Sequence, residues 1–145
     1  MRALIQRVNH ASVQVKGKCI GEIETGVLLL LGIAKGDNND SSTKLAEKVL
    51  NYRIFPDEQG RMNRSLVDIK GALLVVSQFT LCADTQKGLR PSFSSAAPPD
   101  LAQKLYLHFV DQCANTLNKV ETGEFGADMK VSLLNDGPVT FLLES

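Results

Sequence analysis

The sequence predicts an α/β fold, a mixed and largely antiparallel sheet with two main helices packed outside it. Three observations support this fold class: short apolar runs at both ends of the chain, a continuous apolar run at Ala72–Val76, and two segments of helical periodicity. The predicted order is strands, helix, strand, long helix and strands. No repeat or linker interrupts the 145 residues, so we expect residues 1–145 to form a single domain.

The first third of the chain predicts a β-meander. Ala3–Val8 and Ala11–Val15 alternate between apolar and polar residues, which predicts two strands with His10 in the turn between them. Lys16-Gly17-Lys18 is typical of a hairpin turn leading to the next strand. Val27–Ile33 is too short to span a membrane and is predicted to be a central strand.

Two segments predict helices. The first has Asp40, Ser41 or Ser42 as its N-cap and reaches about Tyr52. The second begins at Pro98-Pro99-Asp100, with prolines at the position that tolerates them best. The predicted apolar faces consist of Leu45, Ala46, Val49 and Leu50 in the first helix, and of Leu101, Leu105, Phe109, Cys113 and Leu117 in the second.

Charge and composition exclude several classes of function. The net charge is zero, so bulk charge does not hold this protein to nucleic acid. A local surplus does exist, because Arg2, Arg7, Lys16 and Lys18 precede the first acid, Glu22. This surplus predicts either a phosphate-facing edge or a solvated strand face.

The cysteines and the glycine-containing segments give no sign of a metal or a cofactor. Cys19, Cys82 and Cys113 are widely spaced and form no Cys-x-x-Cys pair, which favours reduced thiols. Gly32–Gly36 lacks the Gly-Lys-Ser/Thr ending of a phosphate loop. No long apolar run or export signal is present. We therefore expect a cytoplasmic protein without metal, cofactor or membrane contact.

Polar side chains follow the buried strand at Ala72–Val76. The segment Ser77-Gln78-Phe79-Thr80 carries two hydroxyls, an amide and an aromatic ring. Buried polar groups must be satisfied or used, and strand ends are common positions for sites. Ser77 and Thr80 are therefore candidate site residues, although bonds to the local backbone would also explain them.

A Gly-Pro pair separates the two apolar runs at the end of the chain. Met129–Leu134 and Val139–Leu143 each predict a strand, and Asn135–Thr140 predicts a shaped turn between them. Pro138 cannot donate to a sheet ladder, and Gly137 adopts backbone angles closed to other residues. An ordinary hairpin turn containing proline is the alternative.

Together the motifs Ser77-Gln78-Phe79-Thr80 and Gly137-Pro138-Val139-Thr140 resemble those of the bacterial and eukaryotic D-aminoacyl-tRNA deacylases. The resemblance extends from the opening Met1–Val8 to Ser145. It implies a strongly bent, partly barrel-like sheet and a homodimer with active sites at the subunit interface. It also implies hydrolysis of D-aminoacyl-tRNA esters and acceptance of glycyl-tRNA.

The resemblance further implies roles for individual residues. The backbone N–H groups around Phe79 and Thr80 hold the carbonyl oxygen, the 2′-OH of the terminal adenosine assists the water, and Ser77 and Gln78 shape the adenosine end. Thr80 as a direct nucleophile is the alternative, but the sequence supplies no base for it. The loop Cys82–Ala97 helps to line the pocket and brings Lys87 and Arg90 to the tRNA end, or is an ordinary surface loop.

Chiral selection is implied in the same way. One subunit inserts its Gly137-Pro138 turn, with the peptide bond cis, into the pocket of the other. Its carbonyls grip the α-amino group and an L side chain clashes with the turn. Arg7 locks the turn and Met129 lines the pocket in this interpretation. The rival hypothesis is a non-catalytic dimeric module that binds RNA ends or a small ligand.

Overall fold

The sheet is built around β1 (Arg2–Val15), which pairs along one edge with β8 (Met129–Glu144) over its whole length. Its other edge pairs first with β3 (Gly26–Gly32) and then with β2 (Lys18–Ile23). The predicted turn at His10 is wrong, because β1 continues through this residue, which pairs with Leu134. Register shifts on both sides of Val8 provide the bend without a turn.

The computed structural model describes all 145 residues and places six strands in the main sheet. The order is β2-β1-β3-β6-β7, where β6 spans Ala72–Ser77 and β7 spans Val120–Thr122. The pairs β3–β6 and β6–β7 are parallel and the others are antiparallel, so the sheet is mixed as predicted.

The bend in β1 brings the two ends of the sheet together. A Cβ atom on Gly21 of β2 would lie 2.8 Å from the carbonyl oxygen of Thr122 in β7, so the two strands are in close approach. This near-closure confirms the expected barrel-like shape. The barrel interior is filled by Val8, Ala11, Val13, Ile23, Leu28, Ala72, Leu74 and Val76.

Helix α1 (Asn39–Asn51) has its N-cap two residues before Asp40, the earliest predicted N-cap. Asn38 is the cap: its side-chain oxygen accepts from the Ser41 backbone N–H at 3.0 Å, and the Ser41 hydroxyl accepts from the Asn38 N–H at 2.9 Å. Asn is as favourable at the N-cap as Asp or Ser, so the residue types alone do not determine which residue caps the helix. The predicted apolar face is confirmed, since Leu45, Ala46, Val49 and Leu50 are buried.

Helix α2 (Pro99–Ala114) packs beside α1 over the outer core of the sheet. Its buried face contains Ala102, Leu105, Tyr106, Phe109 and Cys113. Leu101 is only half-buried, and Leu117 is buried but lies beyond the helix. No helix in the structure is long and apolar enough to cross a lipid bilayer.

The segment between α1 and β6 contains a short hairpin. Strands β4 (Phe55–Pro56) and β5 (Met62–Arg64) pair around a turn organised by the carboxylate of Asp57. This carboxylate accepts from the backbone N–H groups of Gln59 and Arg61 at 2.8 and 2.9 Å. The carboxylate of Asp57 therefore fixes the turn between the two short strands.

The C-terminal segment is one strand with an excursion at the predicted shaped turn, so the two predicted strands are parts of β8 and the alternative of an ordinary hairpin turn is wrong. Asn135 pairs with Val8 and Thr140 pairs with Gln6, so both parts of β8 run antiparallel to β1 in the same direction. The intervening residues bulge out of the ladder. Local sequence cannot distinguish this arrangement from a hairpin, because both require two apolar runs separated by a turn.

Candidate active site

A cavity of about 510 Å3 opens at the end of β6. Its wall includes Ser77, Gln78 and Phe79, and it also contains Met129 from the start of β8. The loop before β8 and the end of the loop before α2 complete it, through Phe125, Gly126, Ala127 and Asp128 and through Ala96 and Ala97. Four predicted site residues therefore meet at one cavity.

A 3-10 turn over Phe79–Cys82 follows β6 and shapes the mouth of the cavity. The Gln78 N–H makes the last strand-like bond, to the Leu31 carbonyl oxygen at 2.8 Å, and the Leu81 N–H then donates to the Gln78 carbonyl oxygen at 3.2 Å. The N–H groups of Phe79 and Thr80 are left without an acceptor in the chain, as expected for the first residues of a helical turn. Two backbone donors are thus available beside the cavity.

Two residues that the sequence analysis did not place in the site hold this turn. A Cβ atom on Gly32 would lie 2.9 Å from Leu81 Cβ and 3.1 Å from the Gln78 carbonyl oxygen, so the turn packs directly on a glycine. Arg2 donates through Nη1 to the Leu81 carbonyl oxygen at 2.9 Å. A close approach of this kind leaves no local pattern in the sequence.

The hydroxyl of Thr80 has no base beside it. Its Oγ1 accepts from Gln78 Nε2 at 2.5 Å, and no histidine or carboxylate contacts it. His10 pairs with Glu22 on the outside of the sheet, and His108 contacts Ser42 between the helices. Neither histidine is part of the cavity wall.

The cavity carries little charge. Asp128 is the one charged residue in its wall, and its exposed carboxylate pairs with Lys130 at 2.8 Å. Burial raises the pKa of the Cys82 thiol, which lies under the turn, so this thiol is a poor nucleophile at neutral pH. No group of three or more His, Cys, Asp or Glu side chains is placed to hold a metal ion.

The excursion in β8 comprises Asp136–Val139, and hydrogen bonds between Asn135 and Val139 hold its two ends together. The Asn135 side chain accepts from the Val139 N–H at 2.8 Å and donates to the Val139 carbonyl oxygen at 3.1 Å. Gly137 and Pro138 are exposed and their peptide bond is cis, whereas Val139 is buried. Thr140 is exposed, and its hydroxyl accepts from the side-chain amides of Gln6 and Asn135.

Arg7 connects the excursion to the body of the protein. Its Nε donates to the Asp136 carbonyl oxygen at 2.9 Å, and its Nη1 donates to the Ile54 carbonyl oxygen at 2.6 Å. Arg2 likewise pairs with Glu144 at 2.8 Å. Both arginines thus make contacts within the chain, and the phosphate-facing edge stays a prediction.

The excursion and the cavity lie apart within the chain. Ser77 is level with Leu31 of β3, which pairs with Ala3, while Arg7 pairs with Val27, four positions further along β1. No residue of the excursion lines the cavity. The two sequence motifs therefore do not meet inside one chain.

Comparison with known proteins identifies the family. The family model described as "D-Tyr-tRNA(Tyr) deacylase" matches residues 4–144. The chain belongs to this deacylase family. A D-aminoacyl-tRNA deacylase of Thermosipho africanus is 62% identical over 145 residues, which are 100% of this chain and 97% of that protein. One of Teredinibacter turnerae is 60% identical over the full length of both chains.

A solved structure has the same fold. The "c-Myc DNA Unwinding Element Binding Protein" superposes with a TM-score of 0.96 at 41% identity, and the match covers 100% of this chain and 99% of that one. Membership of the deacylase family thus agrees with the sequence, the fold and the motif that leads into the cavity. The predicted resemblance to this family is confirmed.

Proposed function

We propose that residues 1–145 form a single D-aminoacyl-tRNA deacylase domain that hydrolyses the ester bond of D-aminoacyl-tRNAs and of mischarged glycyl-tRNA. The products are the free amino acid and the tRNA. The observation that carries the proposal is the pair of unpartnered N–H groups at Phe79 and Thr80, beside a cavity with a largely apolar wall. The family match and relatives named for this activity support it.

The two N–H groups suit an ester carbonyl. They would donate to the oxygen as negative charge develops on it, and such preorganised donors stabilise the transition state strongly. Ser77 and Gln78 stand on the same wall and are proposed to shape the adenosine end. The water is assisted by the 2′-OH of the terminal adenosine, a proposal supported by the absence of any base beside Thr80.

Chiral selection is assigned to a homodimer in which the Gly137-Pro138 segment of one subunit enters the cavity of the other. Its exposure, and its distance from the cavity of its own chain, support this arrangement. Carbonyl oxygens of the segment would hold the α-amino group, and an L side chain would collide with the segment. Val139 and Thr140 anchor the segment, Arg7 locks it, and Met129 lines the cavity it enters.

The outer edge of β8 supports a dimer as well. This strand has 16 residues and pairs only with β1, so its other edge presents free backbone groups. The side chains of Leu134 and Leu142 in this strand are 60% and 54% exposed.

We place the protein in the cytoplasm, where its proposed substrates are made. Its three cysteines are free thiols, which agrees with a reducing compartment.

The decisive experiment compares deacylation of D-Tyr-tRNA and L-Tyr-tRNA by the purified protein. Rapid loss of the D ester alone is expected. If neither ester turns over while the protein still binds tRNA ends, the non-catalytic binding module is the correct function. Equal turnover of both esters would retain a hydrolase but refute the role of the Gly137-Pro138 segment.

The route of hydrolysis is tested separately. Thr80→Ala is expected to retain substantial activity, because the hydroxyl is proposed to play no chemical part. A substrate that ends in 2′-deoxyadenosine is expected to be hydrolysed far more slowly. The opposite pair of results would make Thr80 the nucleophile.

A further inference from the structure

Two aromatic rings stand exposed at the mouth of the cavity. Phe79 forms part of the cavity wall and is nevertheless 58% exposed, and Phe93 is 42% exposed. Their ring centroids lie 5.0 Å apart with an interplanar angle of 59°. Neither ring belongs to the hydrophobic core, so the fold does not account for their position.

The backbone that carries Phe93 is fixed in place. Asp84 and Ser92 exchange two backbone hydrogen bonds, of 2.8 and 3.0 Å, which close the loop into a hairpin. Just after Phe93, the Ser95 carbonyl oxygen accepts from the Lys35 N–H at 2.9 Å, and the Ser95 hydroxyl donates to the Cys82 carbonyl oxygen. Because the backbone on both sides of Phe93 is already fixed, binding through its ring costs little further conformational entropy.

The tip of the same hairpin carries free positive charge. Lys87 and Arg90 are exposed and form no ion pair. Asp84 is the one acidic residue between positions 83 and 97, and its carboxylate accepts from the Gln86 N–H. The chain as a whole is neutral, so this is a local surplus beside the cavity.

Exposed aromatic rings next to free cations are the features that bind single-stranded nucleic acid, because bases stack on the rings and phosphates attract the cations. We propose that Phe79 and Phe93 form a stacking platform for a nucleotide that precedes the terminal adenosine of the tRNA, with Lys87 and Arg90 contacting its phosphates. The inference rests on the proposed function and extends it to a second nucleotide. Phe93 lies outside the cavity wall, so the platform serves a base that remains outside.

The first test uses two D-tyrosyl esters, one of adenosine and one of a short RNA ending in CCA. The wild-type protein is expected to prefer the longer substrate. Phe93→Leu keeps an apolar side chain without an aromatic face, and it is expected to reduce that preference by about tenfold, mainly through KM. Phe93→Tyr keeps the face and is expected to restore the preference.

Leu89→Ala is the matched control, because Leu89 is a fully exposed apolar residue at the tip of the same hairpin and has no aromatic ring. It is expected to leave the preference unchanged. An equal preference in wild type and Phe93→Leu would overturn the proposal. Failure of all variants and wild type to hydrolyse either ester would instead overturn the proposed function.

The second test needs no turnover. An uncharged RNA ending in CCA, with 2-aminopurine in place of the penultimate cytidine, is expected to lose fluorescence on binding as the base stacks. The loss should persist in Phe93→Tyr and disappear in Phe93→Leu. In a plot of the logarithm of the binding constant against the logarithm of the salt concentration, Lys87→Ala and Arg90→Ala should each reduce the steepness of the slope by about 0.7. Unchanged quenching in Phe93→Leu would refute the platform.

Discussion

Arg7 and Asp136 are joined twice, since Arg7 Nε lies 2.9 Å from the Asp136 carbonyl oxygen and 3.2 Å from its carboxylate Oδ2. The Arg7 side chain is only 12% exposed, whereas Gly137 and Pro138 beside this contact are exposed. An arginine fixed in the body of the protein therefore holds the base of an exposed segment. This segment is the one assigned to chiral selection.

Replacing Arg7 tests whether this anchor matters for selectivity. Arg7→Lys retains the charge but loses the planar fork that reaches Asp136 and Ile54 together. We expect the ratio of D-Tyr-tRNA to L-Tyr-tRNA hydrolysis to fall at least about tenfold, the effect of about 1.4 kcal/mol. Arg61→Lys, at an exposed arginine of the β4–β5 hairpin, is the control and should retain the wild-type ratio. An unchanged ratio in Arg7→Lys would remove the residue from the selection device.

Gly137 cannot gain a side chain without moving its neighbour. A Cβ atom there would lie 2.5 Å from the Val139 backbone nitrogen, well inside contact distance. We expect Gly137→Ala to shift the exposed segment and to reduce D-ester hydrolysis or its selectivity at least about tenfold. The chain should still fold, because most of the β8 ladder lies outside the segment.

The control for Gly137→Ala is Gly60→Ala. Gly60 has φ +78° and open space around it, so this change introduces left-handed strain without touching the site. It should lower Tm modestly and leave both rates unchanged. A Gly137→Ala variant with wild-type rates and selectivity would contradict the role of the segment.

Gly32 is predicted to support catalysis although it does not line the cavity. Its missing side chain allows the turn at Gln78–Leu81 to pack on β3, and a methyl group would displace that turn by several tenths of an ångström. Gly32→Ala is therefore expected to lower kcat at least about tenfold, because complete removal of an oxyanion donor costs about 2.7 kcal/mol or more and a displaced donor loses part of that stabilisation. The far-ultraviolet circular dichroism should remain that of a folded protein. A fall confined to KM would show that the turn binds substrate without stabilising the transition state.

The hydroxyl of Tyr106 gives the stability a pH dependence in the alkaline range. Burial raises the pKa of this phenol to about 12 from its ordinary value of 10.0. The folded state favours the protonated form, so the contribution is fully present below pH 10 and is lost as the pH rises to 12. The shift is equivalent to about 2 to 3 kcal/mol of unfolding free energy.

Tyr106→Phe tests this linkage. The variant loses the 2.8 Å bond to the Val75 carbonyl oxygen, which should cost about 1 kcal/mol at pH 8. Between pH 9 and 12, however, its stability should fall less than that of the wild type. Denaturant unfolding at four pH values measures the difference, with Tyr52→Phe as the variant that removes a less buried tyrosine hydroxyl. Parallel pH profiles for wild type and Tyr106→Phe would refute the assignment.

The elements that local pattern determines were predicted well. The apolar stripe at Leu45–Leu50 and the buried run at Ala72–Val76 depend on periodicity within one segment, and both occupy the predicted positions. The N-cap was misplaced at Asp40–Ser42, because several neighbouring side chains satisfy the same rule. The family resemblance supplied the barrel-like closure, which depends on strands distant in the sequence.

The sequence predicts the chemical groups of the site, but it does not predict the residues that hold those groups in place. Ser77, Gln78 and Phe79 stand out because polar and aromatic groups follow a buried strand. The support from Gly32 and Arg2 arises from contacts between residues more than forty positions apart, which no local pattern records. For the same reason the sequence does not show that both of the predicted C-terminal strands pair with β1.

The two parts of β8 pair with one and the same partner strand, and this sets a rule for changes of length. After the excursion, Val139, Phe141 and Leu143 face the core while Thr140 and Leu142 face outward. Because side chains alternate along a strand, deleting or inserting a single residue within Thr140–Leu143 would turn the core residues on one side of the change to the solvent. The excursion lies outside the ladder, so an added residue there would lengthen the exposed segment and leave the alternation after it unchanged.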